Sequence, residues 1–156
     1  MKYMINFQAQ SKKSGDEFED RVYKDLVKKE FDEIQSNVYI PGAGCEIDFL
    51  AINNGDNTIE YVEAKGGEEG DNKRPGAKRT DNVKKAIANG SLIKAVRPEV
   101  YYVVYFSATP SEGYATEMIE TALKYKIIDE VRYLILPEKT INDIRKEWFE
   151  SQIDFE

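Results

Sequence analysis

Phe18, Val22 and Leu26 recur every four positions through "SGDEFEDRVYKDLVKKEF", which predicts a helix with Ser14 at its N-cap and acids crowding its first turn. "NVYI" reads as a short strand and "PGAG" as a hairpin turn. "EIDFLAI" and "TIEYVEAK" flank "NNGDN" and predict two strands of an antiparallel hairpin with Asn-Gly turn chemistry. The polar, Gly-rich "GGEEGDNKRPGAK" is a surface loop. "TDNVKKAIANG" is a helix capped by Thr80 or Asp81 and ending near Gly90. "EVYYVVYF" is apolar almost throughout, as a buried central strand requires. A helix from Tyr114 to Tyr125 and a strand "VRYLIL" follow. A last helix starts at Thr140, with Asp143 in a capping-box-like position and Ile141, Ile144 and Trp148 on one stripe.

The order helix, three strands, helix, strand, helix, strand, helix predicts a mixed α/β domain whose sheet is covered by helices. No repeat, low-complexity tract or linker divides the 156 residues, so residues 1–156 are expected to form a single domain. Hydrophobic residues at 41% and aromatics at 12% support a folded core despite 33% charged residues. No segment has the apolar length of a signal peptide or a membrane span, and the single cysteine, Cys45, fits a reducing cytoplasm. Cys45 itself is read as a small buried filler.

The chain contains no histidine. This excludes Ser-His-Asp and Cys-His triads, HExxH metal sites and histidine-ligated zinc. Catalysis, where present, must use carboxylates, lysines, tyrosines or a metal held by oxygen. Alternation puts Glu63 and Lys65 on the face of Ile59 and Tyr61, and Glu46 and Asp48 on that of Leu50 and Ile52. Pairing across "NNGDN" then brings Asp48 close to Glu63 and Lys65. Two carboxylates at a few Å raise each other's pKa unless a cation intervenes, and a hard divalent cation such as Mg²⁺ suits this donor set. Glu-x-Lys alone is common by chance. Its placement one turn away from an acidic strand start is what makes it informative.

From about Gly15 to Phe106 the chain resembles the PD-(D/E)XK nuclease superfamily. It is closest in layout to Holliday-junction resolvases and Mrr-type nucleases. "GDEFE" matches their Gly-x-x-x-Glu helix and puts its carboxylate at Glu19, with Glu17 as the substitute. The family's Asp falls on Asp48 in "GCEIDF" and its Glu-x-Lys on Glu63 and Lys65 in "VEAK". "EID" stands where the name-giving "PD" would be, which leaves Glu46 open between an extra metal-shell carboxylate and a strand-end residue. The resemblance implies a restriction-endonuclease-like mixed sheet with an αβββαβ core. It implies Mg²⁺, with Mn²⁺ as an alternative, held by Asp48, Glu63 and the Ala64 carbonyl, with Glu19 completing the shell directly or through water. Lys65 would orient the attacking water. The implied activity is metal-dependent DNA endonuclease cleavage of phosphodiester bonds.

The net charge of −7 conceals a basic stretch: Lys73, Arg74, Lys78, Arg79, Lys84 and Lys85 stand against only Asp71 and Asp81. These six are the expected DNA-binding residues, on a loop and helix that follow the candidate active-site strand. Val83, Ile87 and Ala86 are assigned to the core, leaving Asn82, Lys84 and Lys85 to face outward. The chain's small size points to a homodimer or a directing partner protein. The alternative to the enzyme is a noncatalytic nucleic-acid-binding or regulatory protein of the same fold.

Overall fold

The computed structural model describes residues 14–66, 76–111, 113–135 and 141–153. The described residues form an α/β structure with a five-stranded mixed open sheet and four helices. Helix α1 spans Ser14–Lys28, followed by strands β1 (Glu33–Ile40), β2 (Cys45–Asn53) and β3 (Thr58–Lys65). After a 3₁₀ turn at Gly76–Lys78 come α2 (Thr80–Val96), β4 (Tyr102–Phe106), α3 (Tyr114–Lys124), β5 (Glu130–Tyr133) and α4 (Ile141–Ile153). The sheet order is β1-β2-β3-β4-β5. β1 and β3 run antiparallel to β2, and β4 runs parallel to both β3 and β5. β3 is therefore the strand at which an antiparallel ribbon joins a parallel sheet.

Alternation along β4 divides the core. Tyr102, Val104 and Phe106 pack with Val83, Ala86 and Ile93 of α2 and with Ala115, Ile119 and Ala122 of α3. Val103 and Tyr105 pack on the other face with Phe18, Val22 and Leu26 of α1. Every residue of β4 is buried, as its apolar run predicts. Its tyrosines are core residues whose hydroxyls find partners: Tyr102 donates to the Ala86 carbonyl at 2.9 Å, and Tyr105 to Asp25 at 2.7 Å.

Several local expectations are corrected. β1 is eight residues long rather than four, because its added half, Glu33–Ser36, pairs with β2 through its backbone while its side chains stay largely exposed at the sheet edge. The β2–β3 turn places Asn57, not Gly55, in the left-handed region (φ 62°), while the Asn53 side chain accepts from the Gly55 and Asp56 amides. Ser14 lies within the first turn of α1 instead of preceding it. The N-cap of α2 is Arg79, with no side-chain capping bond; Asp81 instead pairs with the Arg79 guanidinium at 3.0 and 3.1 Å.

Gly90 does not end α2, which continues to Val96. A Cβ at Gly90 would lie 2.7 Å from both the Ile127 carbonyl oxygen and the Tyr102 ring, so glycine serves close helix–sheet packing there. Thr140 lies outside the described residues. Trp148 is 59% exposed, in an edge-on contact with Phe149, rather than packed into the core. The "PGAG" turn does join β1 to β2, with Gly42 and Gly44 at positive φ.

Candidate active site at the end of strand β3

The site begins with a break in the sheet. The β1–β2 register passes from Ser36–Phe49 to Val38–Ile47, skipping the Asn37–Asp48 pair, and the β2–β3 register ends at Phe49–Val62. Asn37 adopts φ 53°, a conformation that asparagine tolerates. Strict alternation fails at the same place: Ile47 and Leu50 join one core cluster, while Phe49 joins the other. The face-sharing expected of Glu46, Asp48, Leu50 and Ile52 is thus interrupted, because at Asp48 the β2–β3 ladder ends and the β1–β2 ladder skips a pair. Glu46 is exposed, whereas Asp48 is half-buried.

Freed from the ladder, Asp48 uses its side chain where a strand would use its backbone: Oδ2 accepts from the Ala64 N–H at 2.7 Å. Tyr61 donates its N–H to Tyr101 of the β4 side, and Lys65 accepts there from Ser107, so Ala64 must direct its backbone groups the other way. The Ala64 carbonyl therefore points toward the β2 side, as its N–H does.

Glu63 is only 4% exposed. Its Oε2 lies 3.0 Å from the Lys65 ammonium, while Oε1 is buried with no hydrogen-bond partner. Burial first, and the Asp48 charge second, push this carboxyl up to about 7, against the pull of Lys65 and Asn89. Asn89 is near enough to exert that pull, yet its amide leaves Oε1 without a hydrogen bond. Tyr102 lies beneath the pair. Burial, and after it the charges of Glu63 and Asp48, raise its phenol well above the ordinary value. Burial and then the Glu63 charge likewise raise the Cys45 thiol, as suits a packing residue rather than a nucleophile.

The structure thus brings Asp48, Glu63, Ala64 and Lys65 together at the carboxyl end of β3, where parallel sheets open their crevices. Glu19 is half-buried on α1, in the layer on the opposite face of the sheet, and Glu17 is exposed. Phe18 brings the start of α1 against the end of β3, since a Cβ on Gly66 would lie 2.7 Å from the Phe18 Cβ. Among the described residues, no three of Asp, Glu, Cys and His gather into a group able to hold a metal. Two carboxylates, one carrying an orphaned buried oxygen, with a backbone carbonyl beside them, do fit a cation whose other ligands are water and substrate oxygens.

Of the basic residues, Lys73 and Arg74 lie outside the described residues. Lys78 is exposed, and Arg79 is tied to Asp81. Lys84 lines a groove with Tyr114, Glu117 and Met118 of α3, on a different side of α2 from Lys85. Asn82 does not face outward as expected: its side-chain amide donates to the carbonyls of Gly66 and Gly76, at 3.3 and 3.1 Å. Sequence reasoning missed Asn82 and Asn89 as site neighbours. Their seven-residue spacing, which puts them on one helix face, was the available signal. No described helix is long and apolar enough to cross a membrane. In comparisons with protein-family models, curated proteins and solved structures, the chain shows no match.

Proposed function

We propose that this chain is a metal-dependent DNA endonuclease of the restriction-endonuclease-like type, hydrolysing phosphodiester bonds at Asp48, Glu63 and Lys65. One observation carries the reading: Glu63 is a buried carboxylate with an unpartnered oxygen, beside a second carboxylate and 3.0 Å from an ammonium. Burying such a charge without compensation is costly, and perturbed groups of this kind concentrate at functional sites.

Asp48, Glu63 and the Ala64 carbonyl would hold Mg²⁺, or Mn²⁺ in its place, with Glu19 reaching the shell directly or through water. The bound cation would supply Lewis-acid chemistry, lowering the pKa of water and offsetting phosphate charge. The chain's own residues account for the rest. Asp48 is oriented by the Ala64 N–H. Glu63 is kept in a dry setting by Tyr102 and the α2 layer. Lys65, half-buried and paired, presents a compact cation that can orient a water and balance charge as phosphate approaches. Lys73, Arg74, Lys78, Arg79 and Lys85 are proposed to contact the DNA backbone, while Lys84 faces the groove beside α3, and a homodimer would supply one active site for each strand.

The test is incubation with supercoiled plasmid and branched DNA, with and without Mg²⁺, beside Glu63→Ala and Lys65→Ala. Metal-dependent cleavage lost in both variants supports the enzyme. DNA binding without cleavage moves the assignment to the noncatalytic alternative.

A further inference from the structure

We propose that Asn82 is a positioning residue for Lys65, fixing the backbone on which the ammonium is mounted. The inference deepens the nuclease reading and rests on it for its kinetic consequence, but not for its structural one. Gly66 directly follows Lys65, and its carbonyl accepts one hydrogen of the Asn82 amide at 3.3 Å, while Gly76 takes the other at 3.1 Å. A primary amide has two N–H donors, so one side chain can serve both carbonyls.

The surroundings leave these segments little freedom. Gly66 is pressed against Phe18. Gly76 sits at φ 53°, where a Cβ would lie 2.5 Å from the Ala108 nitrogen. The Lys65 carbonyl accepts from the Ser107 amide at 3.2 Å, and the Ala77 amide donates to the Ala108 carbonyl at 3.2 Å. The end of β3, the 3₁₀ turn and the end of β4 thus meet at one point. Asn82 is anchored on a seventeen-residue helix and spans that junction.

Lysine has a flexible four-carbon stem, so its head is held only as well as its backbone is. With Asn82 in place, the Lys65 ammonium stays 3.0 Å from Glu63. Without it, the stretch after Lys65 keeps its packing but loses its polar tie to α2, and the Lys65–Glu63 pair loosens.

The experiment compares wild type with Asn82→Ala and the near-isosteric Asn82→Asp, all as the full chain. Lysine acetylation by an N-hydroxysuccinimide ester is followed residue by residue by mass spectrometry. The expected result is an increase of about tenfold in the Lys65 labelling rate in both variants, the scale of a lost hydrogen-bonded tie. Lys94, on the same helix as Asn82 and paired with Asp129 beyond α3, is expected to keep its rate. An unchanged Lys65, or an equal rise at Lys65 and Lys94, overturns the assignment. In plasmid nicking, kcat should fall by about tenfold with KM for DNA unchanged; a raised KM at unchanged kcat likewise overturns it. A wild-type chain that cuts no DNA removes the nuclease reading, and the labelling comparison still decides the role of Asn82. If Asn82→Ala does not fold, Asn82→Asp carries the test.

Discussion

Asp48 accepts a 2.7 Å hydrogen bond from the backbone N–H of Ala64, the residue that follows Glu63. One side chain thereby replaces a missing rung between β2 and β3 and brings a second negative charge to Glu63. Geometry and electrostatics are separable here by substitution. Asp48→Asn keeps an acceptor for the Ala64 N–H and removes the repulsion, so its melting temperature should equal or exceed that of wild type without metal. Asp48→Ala also loses the bond and should be less stable than Asp48→Asn by about 1 kcal/mol. Both should lose metal-dependent cleavage. Thermal melts in EDTA, with nicking assays alongside, check the pair.

The Glu63 carboxyl, pushed up to about 7 from 4.5, makes stability depend on pH in a definite direction. Between those values the native chain binds more protons at Glu63 than the unfolded chain does, so stability must fall as pH rises through the window. The full span is worth about 3 kcal/mol for this one group. Glu63→Gln has no proton to lose. Urea unfolding at pH 5 and pH 8 in EDTA should show wild type declining more steeply than Glu63→Gln by about that amount. Equal declines would refute the assignment.

The sequence made the order of elements legible because periodicity changes sharply at each boundary, as at Phe18–Val22–Leu26 and at Tyr102–Phe106. It also brought Asp48 to Glu63, since pairing across one turn is a local matter. It misplaced what depends on distant packing. Gly90 looks like a helix stop until Tyr102 is seen beneath it. Asn82 looks solvated until the Gly66 and Gly76 carbonyls come within its reach. Glu46 looks like a companion to Asp48 because alternation was assumed unbroken, and the break comes from an asparagine, Asn37, on another strand. The polar half of β1 carries no hydrophobic period at all, and only its edge position explains it as a strand.

Gly90→Ala should reverse a familiar sign. In a helix interior alanine ordinarily gains about 1 kcal/mol over glycine. Here the added methyl meets the Ile127 carbonyl oxygen and the Tyr102 ring at 2.7 Å, and overpacking of this kind costs about 1–3 kcal/mol. Chemical denaturation should find the variant less stable than wild type; a gain in stability would show that the helix can retreat from β4 freely.

Arg132 grips Glu60 with two bonds of 2.9 and 2.8 Å, and also donates to Glu130 and to the Tyr105 hydroxyl. Glu60 is 6% exposed, so removing its partner strands a buried charge. Arg132→Met should cost about 3–5 kcal/mol, and adding Glu60→Gln should recover at least half of that loss. A double-mutant cycle by urea unfolding measures both. The network lies on the α1 face of the sheet, so DNA cleavage by the double variant should be retained below its unfolding transition.

Lys84 and Lys85 are neighbours in sequence but belong to different surfaces. Lys85 shares the helix face of Asn82, which holds the chain leaving β3, and of Asn89, which acts on Glu63. Lys84 lies about 100° away around the helix and lines the groove beside Glu117 of α3. If phosphates approach Glu63 along α2, only Lys85 meets them early. Lys85→Ala should weaken DNA binding across sequences and reduce the slope of log K against log salt by about one counterion. Lys84→Ala should leave that slope unchanged. Fluorescence anisotropy with a labelled duplex, titrated at several salt concentrations in Ca²⁺ to limit cleavage, reads the difference directly. Equal losses from the two substitutions would mean that DNA spans both sides of α2, and the approach would then have to be drawn across α3 as well.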